Sequence, residues 1–484
     1  MNSLDFILNN FIWLYYFVTF FFACLLVFFE RRNPQSTLIW LLVLFAIPYF
    51  GFLLYLLFGL HFKRERIFQL KGKAKKSFLT LANLQDKLLV QKTFPFGDTR
   101  TINYADFIQL NLYVDYAIYT ENNQIQLFHD GKSFFENFFK DIEKAEHSIY
   151  LEFYIIRNDV LGNQFLELLM QKAKSGISVR LIIDDMGFKS LYKRTKILRL
   201  AGVQVEVYGV KKFPFVPRIN YRNHRKLTVI DNKIGYLGGF NVGDEYIGQN
   251  THFGFWRDTH FRVTGDIIDM FVFDFLLDWN FAAPSPQEIL LPSYALPGLN
   301  TSNIGMQLVT SGPDSLWPNI RNSFLKMISE AEHYIYIATP YFIPDESILN
   351  ALKVAAISGR EIIILIPSIP DHHFVFWANR YFAGELLEVG ARLFEYKKGF
   401  LHCKILLVDD YISSIGTANM DARSFHINFE ITSFIFAEEV AKDVKAQFEK
   451  DLLNSHEITL EEYLARSTTV KLKESVSRLF APLL

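Results

Sequence analysis

The sequence predicts an α/β protein, with two tandem α/β domains whose mixed sheets share one active site, preceded by a two-helix transmembrane hairpin. Three observations carry this reading. The spacing His-x-Lys-x4-Asp occurs twice, as His224, Lys226, Asp231 and as His402, Lys404, Asp409, with the histidines 178 residues apart. Each copy closes a stretch in which strand-like and helix-like patterns alternate in the same order. Two long uncharged apolar runs stand at the start of the chain.

The apolar runs come first. Residues 11–29 give 19 positions without a charge and residues 37–58 give 22. At about 1.5 Å per residue each is long enough for a hydrocarbon core of about 30 Å. A signal peptide is disfavoured: no basic segment precedes the first run, no small-residue cleavage site follows, and a second run comes at once. Pro34 and Ser36 in the short link suit a turn and a helix start. Residues 61–76 carry Lys63, Arg64, Arg66, Lys71, Lys73, Lys75 and Lys76 against Glu65 alone. By the positive-inside rule this flank is cytoplasmic, although Arg31 and Arg32 weigh mildly the other way. Basic residues also favour an anionic headgroup surface by roughly 1 kcal/mol each. The chain thus divides into a hairpin (1–60), a basic juxtamembrane and connecting segment (61–120), and two α/β domains (121–297 and 298–484).

In the first domain, residues 149–156 read as a buried strand, 164–175 as a helix stopped by Gly176, and 179–184 as a strand. Residues 194–201 read as a helix stopped by Gly202, and 203–208 as a strand. The second domain repeats the order with strands at 334–342, 361–366 and 391–396 and helices at 347–358 and near 380–389. Even wording recurs, EKAEHSIYLEFY at 143–154 against SEAEHYIYIATP at 329–340. The Pro-rich stretch 282–297 is the expected joint.

The twin motif has a chemical reading. His and Lys two apart share one face of a strand, which places Cys403 on the opposite face from His402 and Lys404. Asp231 and Asp409 then open hairpin turns, where an aspartate fixes the turn and its neighbours rather than touching a substrate. Returning strands end at Gly238 and Gly416, whose missing side chains allow close approach to a ligand. Asn241 and Asn419, three residues on, offer amide donors. Two facing halves surround one tetrahedral phosphorus with two imidazoles, two ammoniums and two amides. The cations and amides neutralise non-bridging oxygens. One histidine serves as nucleophile and the other as acid and base. No Asp/Glu/His cluster has metal-ligand spacing, so neither metal nor other cofactor is expected. Glu152 and Tyr341 stand at strand ends that face the site. Arg423 either reaches phosphate or braces its loop. Asp184-Asp185 and Asp371-His372-His373 read as solvated loop residues.

The double motif with its G-[GT]-x-N sequels resembles the phospholipase D superfamily over residues 125–430. The hairpin sequence 31–59 and the segment NMDARSFHINFE at 419–430 are similar to bacterial cardiolipin synthases. The resemblance implies His224 as nucleophile, His402 as acid/base, and a carboxylate holding each ring. Glu430 matches the family's orienting acid, and Asp258 is the nearest counterpart for His224. Thr417 stands where serine is common, and Gly238-Gly239 is a further departure. The implied reaction is transfer of a phosphatidyl group from one phosphatidylglycerol to another, yielding cardiolipin and glycerol at the cell membrane. A tethered hydrolase or nuclease using water, or a non-enzymatic membrane scaffold, is the alternative.

Composition weighs among these. The formal net charge of −1 predicts no nucleic-acid partner. Half of the residues are apolar and 49 are Phe, more than a soluble enzyme needs. Cys24 and Cys403 provide neither a disulfide framework nor a zinc site. Phosphatidylglycerol, cardiolipin and an anionic membrane surface are the expected partners. The C-terminal stretch 471–484 is expected to lie on the membrane, with Val470, Val476, Leu479 and Phe480 as its apolar face.

Overall fold

The computed structural model describes residues 3–28, 34–47, 50–55, 79–209, 221–284 and 304–481. The basic segment 61–76, from which orientation was read, and the expected joint beyond residue 284 lie outside the described residues.

The N-terminal apolar runs are helical, as Ser3–Phe28 and then Pro34–Ala46 and Phe50–Leu54. Leu26, Trp40, Leu44 and Tyr55 pack together, and the Tyr15 hydroxyl donates to the Leu44 carbonyl at 3.0 Å. Trp13, Phe17, Phe20, Leu38 and Leu42 point outward. Of the first helix, side chains are described from Trp13 onward. Among the described residues no helix is long and apolar enough to cross a membrane.

The remainder forms one compact unit holding both sheets. The first sheet contains β1 (Asn123–Asp130), β2 (Ser148–Phe153), β3 (Ser178–Asp184), β4 (Gln204–Tyr208), β5 (Leu227–Ile230), β6 (Ile234–Gly238) and β7 (Phe255–Gly265), in the order β1-β7-β6-β5-β2-β3-β4. Strands β2, β3 and β4 are parallel, while β5, β6, β7 and β1 continue antiparallel.

The second sheet repeats this plan with β8 (Gly305–Ser311), β9 (Tyr334–Ala338), β11 (Glu361–Pro367), β12 (Arg392–Tyr396), β14 (Ile405–Val408), β15 (Ile412–Gly416), β17 (Glu430–Phe436) and an added edge, β18 (Ser455–Ile458), while β10 (Phe342–Ile343) and β16 (Met420–Asp421) pair with each other outside it. Its order is β18-β12-β11-β9-β14-β15-β17-β8. Both sheets are mixed, as alternation of strand and helix predicts when crossovers precede a meander. The helices fall where glycine stops were read. Val160–Lys174 ends before Gly176, Asp185–Leu200 before Gly202, and Glu346–Ile357 before Gly359, each glycine at a positive φ.

The two halves exchange backbone. A short strand of the second half, β13 (Gly399–Leu401), pairs in parallel with β7 of the first. In the mirror position, Asn223 forms a parallel bridge to Phe429. Residues expected to be a mere connection pack as core: Asn111 in the helix Ala105–Asp115 donates to Gln307 of β8 at 3.0 Å, and Phe107 meets Phe434 of β17.

Candidate active site

Each histidine lies on an extended lead-in to a strand rather than on the strand, because it pairs with the opposite half. The His224 amide donates to the Phe429 carbonyl at 3.0 Å, and the Phe429 amide donates to Arg222 at 2.8 Å. The His402 amide donates to the Arg257 carbonyl at 2.7 Å. This register sets His224 beside Glu430 and His402 beside Asp258. His224 Nδ1 lies 3.0 Å from both Glu430 carboxylate oxygens, and His402 Nδ1 lies 2.6 Å from Asp258 Oδ2. The carboxylates are therefore crossed. Asp258, read from the sequence as the counterpart for His224, holds His402, and Glu430 of the second half holds the first half's ring.

The carboxylates are themselves fixed. Thr417 Oγ1 donates to Glu430 at 2.6 Å and Asn428 Nδ2 donates at 3.1 Å. The Thr259 amide donates to Asp258 at 2.7 Å. Thr417 is fully buried, and its hydroxyl orients Glu430. Gly238 and Gly416 press against the neighbouring strand. A Cβ on Gly238 would lie 2.4 Å from His260 Cα, and one on Gly416 would lie 2.5 Å from the Ile431 oxygen. Both glycines are dictated by the neighbouring strand. Gly239, by contrast, makes room for Asp258, whose Oδ1 would be 2.0 Å from an added Cβ.

The lysines stand close to their own histidines. Lys226 Nζ donates to the His224 carbonyl at 2.6 Å, and Lys404 Nζ donates to the His402 carbonyl. Both lysines are buried. Asp231 and Asp409 sit at the far ends of β5 and β14, away from the rings. Asp231 accepts from the amides of Glu146, His147 and Ser148 at 2.7–2.8 Å. Asp409 does the same for Glu332, His333 and Tyr334 at 2.9 Å. Each aspartate, at positive φ, anchors the start of the adjacent strand, so the motif's third member is architectural.

The asparagines brace loops. Asn241 Oδ1 accepts from the Ile155 amide at 3.1 Å, and the Asn419 side chain bonds Asp421. Glu152 is buried beneath the site and accepts from Asn223 Nδ2, so it supports the lead-in to His224 rather than lining the surface. Tyr341 donates to Asp371. Asp184 is buried and not solvated. It caps the helix Asp185–Leu200 and accepts from the Asn223 amide at 2.8 Å. Cys403 is buried, and burial pushes its thiol up to about 12.

Two aromatic neighbours escaped the sequence reading. Tyr154 meets the His224 ring edge-on at 5.1 Å, and Trp256 meets the His402 ring at 5.1 Å. Their signal was position: Tyr154 stands just past the end of β2, and Trp256 directly precedes the Arg-Asp pair.

Burial and the lysines shape the electrostatics. Burial drives the His402 ring down to about 4, with Lys404 adding to the effect against Asp258. The His224 ring also falls below its usual value, through burial and Lys226, against Glu430. Burial pushes Lys226 down to about 7 and lowers Lys404. Burial acts to raise Asp258 and Glu430, but the adjacent histidines and lysines outweigh it and both carboxyls fall. Two lysines and two imidazoles thus share a buried site with two ionised carboxylates.

A crossed pair of carboxylate-held imidazoles between two buried lysines, on twin mixed sheets, defines a phospholipase D-like enzyme. The structure is similar to the phosphatidylserine synthase of Haemophilus influenzae, with a TM-score of 0.59 at 13% identity, covering 79% of this chain and all of that one. The family model "Cardiolipin synthase, PLD-like domain" matches residues 138–271 and 324–452, and "Phospholipase D-nuclease N-terminal" matches residues 17–59. A cardiolipin synthase of Oceanobacillus iheyensis is 46% identical, with 96% of each chain covered. The major cardiolipin synthase ClsA of Bacillus subtilis is 44% identical over 97% of this chain and 98% of its own. The chain belongs to the cardiolipin synthase family.

Proposed function

We propose that the chain condenses two phosphatidylglycerols into cardiolipin and glycerol through a phosphohistidine. The observation that carries the reaction type is the crossed pairing. With Nδ1 of each ring held by a carboxylate, Nε2 is the nitrogen left for chemistry. His224 Nε2 attacks phosphorus, the bond from phosphorus to the departing glycerol oxygen breaks, and His402 Nε2 gives that oxygen its proton. The second phosphatidylglycerol's headgroup hydroxyl then loses its proton to His402 Nε2 and attacks phosphorus. The phosphorus–nitrogen bond breaks and both rings return to their starting state. Lys226 and Lys404 neutralise the non-bridging oxygens. Assignment of the nucleophile to His224 follows the resemblance of the first motif.

In the ligand-free site both rings are neutral near pH 7, since each falls below its usual value. A bound phosphodiester adds the negative charge that favours an imidazolium, so His402 takes up a proton from solvent as the substrate binds and passes it to the leaving oxygen.

The two N-terminal apolar runs of the sequence, 11–29 and 37–58, are proposed to cross the cell membrane as a hairpin, with the catalytic unit on the cytoplasmic side. The apolar runs, the family match at 17–59 and the basic segment 61–76 support this. Tethering raises the local concentration of both lipid substrates. Incubating purified protein with phosphatidylglycerol vesicles tests the reaction. Cardiolipin with equimolar glycerol is expected, and phosphatidic acid as the main product would make the chain a hydrolase.

A further inference from the structure

The C-terminal helix Thr468–Leu479 is amphipathic in the inverted sense. The side turned toward the protein carries Val470, Glu474, Ser477 and, past the helix end, Ala481, with Glu474 and Ser477 buried. Glu474, 0% exposed, is ion-paired with Arg466 at 2.8 Å and Arg380 at 3.6 Å. The opposite ridge is apolar and open, with Leu472 63%, Val476 39%, Leu479 60% and Phe480 43% exposed. Phe374 of the adjacent helix His373–Leu387 extends it, 52% exposed, with its ring 5.8 Å from that of Phe480. Val470, expected on the apolar face, lies on the other side, and Leu472 takes its place.

A surface helix in water ordinarily buries its apolar ridge. This one commits its inner face to an ion pair and presents leucines outward, which fits an exterior that is not water. Its single acid, Glu474, is buried, so the charges flanking the ridge are basic: Lys471, Lys473 beside the Trp377 ring and Arg478 against Tyr381. The helix His373–Leu387 follows Asp371, which accepts from Tyr341, and Tyr341 lies within electrostatic reach of Tyr154 beside His224.

We infer that this ridge, framed by Lys471, Lys473 and Arg478, is a contact surface for an anionic phospholipid bilayer, separate from the N-terminal helices. A bilayer supplies both the apolar interior and the negative headgroups that the ridge and its rim match. The inference rests on the lipid substrate proposed above and on neither histidine's role.

The test uses the full chain carrying Cys24→Ser, with Leu472→Cys or Leu479→Cys bearing an environment-sensitive dye. Cys403 is buried and does not label. Lys442→Cys, at an exposed position on the helix Glu438–Leu453, serves as control. In phosphatidylglycerol-containing vesicles, spin-labelled lipid should quench the dye at 472 and 479 and spare it at 442. Quenching by aqueous iodide equal to the control overturns the inference. Protection from both quenchers also overturns it, since protein then covers the ridge, whether a second copy or another part of this chain. The double variant L472E/L479E should raise the apparent KM on vesicles about tenfold while leaving turnover of a water-dispersed short-chain substrate unchanged. Lipid quenching in a protein that releases no cardiolipin would leave the surface standing and sink the proposed reaction.

Discussion

Glu430 grips His224 across 206 residues of sequence, both carboxylate oxygens 3.0 Å from Nδ1. Asp258 returns the arrangement by gripping His402. Neither half owns a complete histidine–carboxylate pair, so neither half alone holds a correctly oriented ring. The duplicated sequence is one site because its backbone lead-ins cross.

The crossing separates the two carboxylates by step. Glu430→Gln should slow phosphorylation of His224 by any donor, by about 10²–10⁴-fold, the scale for losing an orienting carboxylate. Asp258→Asn should slow turnover of phosphatidylglycerol comparably but spare adduct formation from a nitrophenyl phosphodiester, whose leaving group needs little protonation. Single-turnover measurements with both donors read the difference, and the opposite pattern would reverse the roles of the two rings.

Substitution of the histidines makes the same assignment by product. His224→Ala should form no covalent adduct with any donor. His402→Ala should accumulate a phosphorylated His224 from the activated donor, because the base for the second alcohol is missing. Mass spectrometry locates the adduct. Modification of His402 in the His224→Ala protein contradicts the assignment.

Gly239→Ala tests the orientation of His402 without touching a reacting group. The added methyl would meet the end of the Asp258 side chain rather than backbone, so the carboxylate moves and the fold persists. Turnover should fall by about 10–100-fold, the usual scale for a lost outer-shell partner, in a protein whose circular dichroism remains that of the folded chain. Unchanged turnover would mean that the Asp258–His402 contact is dispensable.

Stability should depend on pH through the same rings. His402 falls from 6.5 to about 4 on folding, so between those values the unfolded chain binds more protons and stability declines with acidification. Asp258 and Glu430, both lowered, add losses of the same sign at lower pH. The melting temperature in detergent should drop from pH 7 to pH 5, and drop less in His402→Gln. An equal drop in the variant removes His402 as a cause.

The N-terminal helices are expected to localise the enzyme without contributing to the chemistry, but the boundary matters. A chain beginning near residue 100 would lose the helix Leu79–Val90. Gln85 of that helix exchanges hydrogen bonds with the Tyr119 backbone at 2.8 and 3.0 Å. A chain lacking residues 1–78 should fold and turn over detergent-dispersed lipid, whereas one lacking residues 1–99 should lose stability. Normal binding with no chemistry in the 1–78 deletion would make those residues part of the site.

Local pattern was enough for the order of the three strands and two helices read in each half. Alternating apolar runs and glycine stops act within a few residues, and the structure keeps that order with shifted ends. The repeated His and Lys spacing likewise singled out the four side chains that the structure brings together, since no contact beyond the motif is needed to recognise a duplicated imidazole and ammonium. What each neighbour does was decided by tertiary structure. Asp231 and Asp409 anchor strands, Thr417 steers Glu430, and Gly238 and Gly416 yield to an adjoining strand. Above all, Asp258 serves His402 and Glu430 serves His224. Spacing along the chain favours a carboxylate for its own half. The opposite pairing arises because β13 joins the first sheet beside Arg257 and Asn223 bridges to Phe429, and backbone pairing between segments so distant in sequence leaves no periodicity to read.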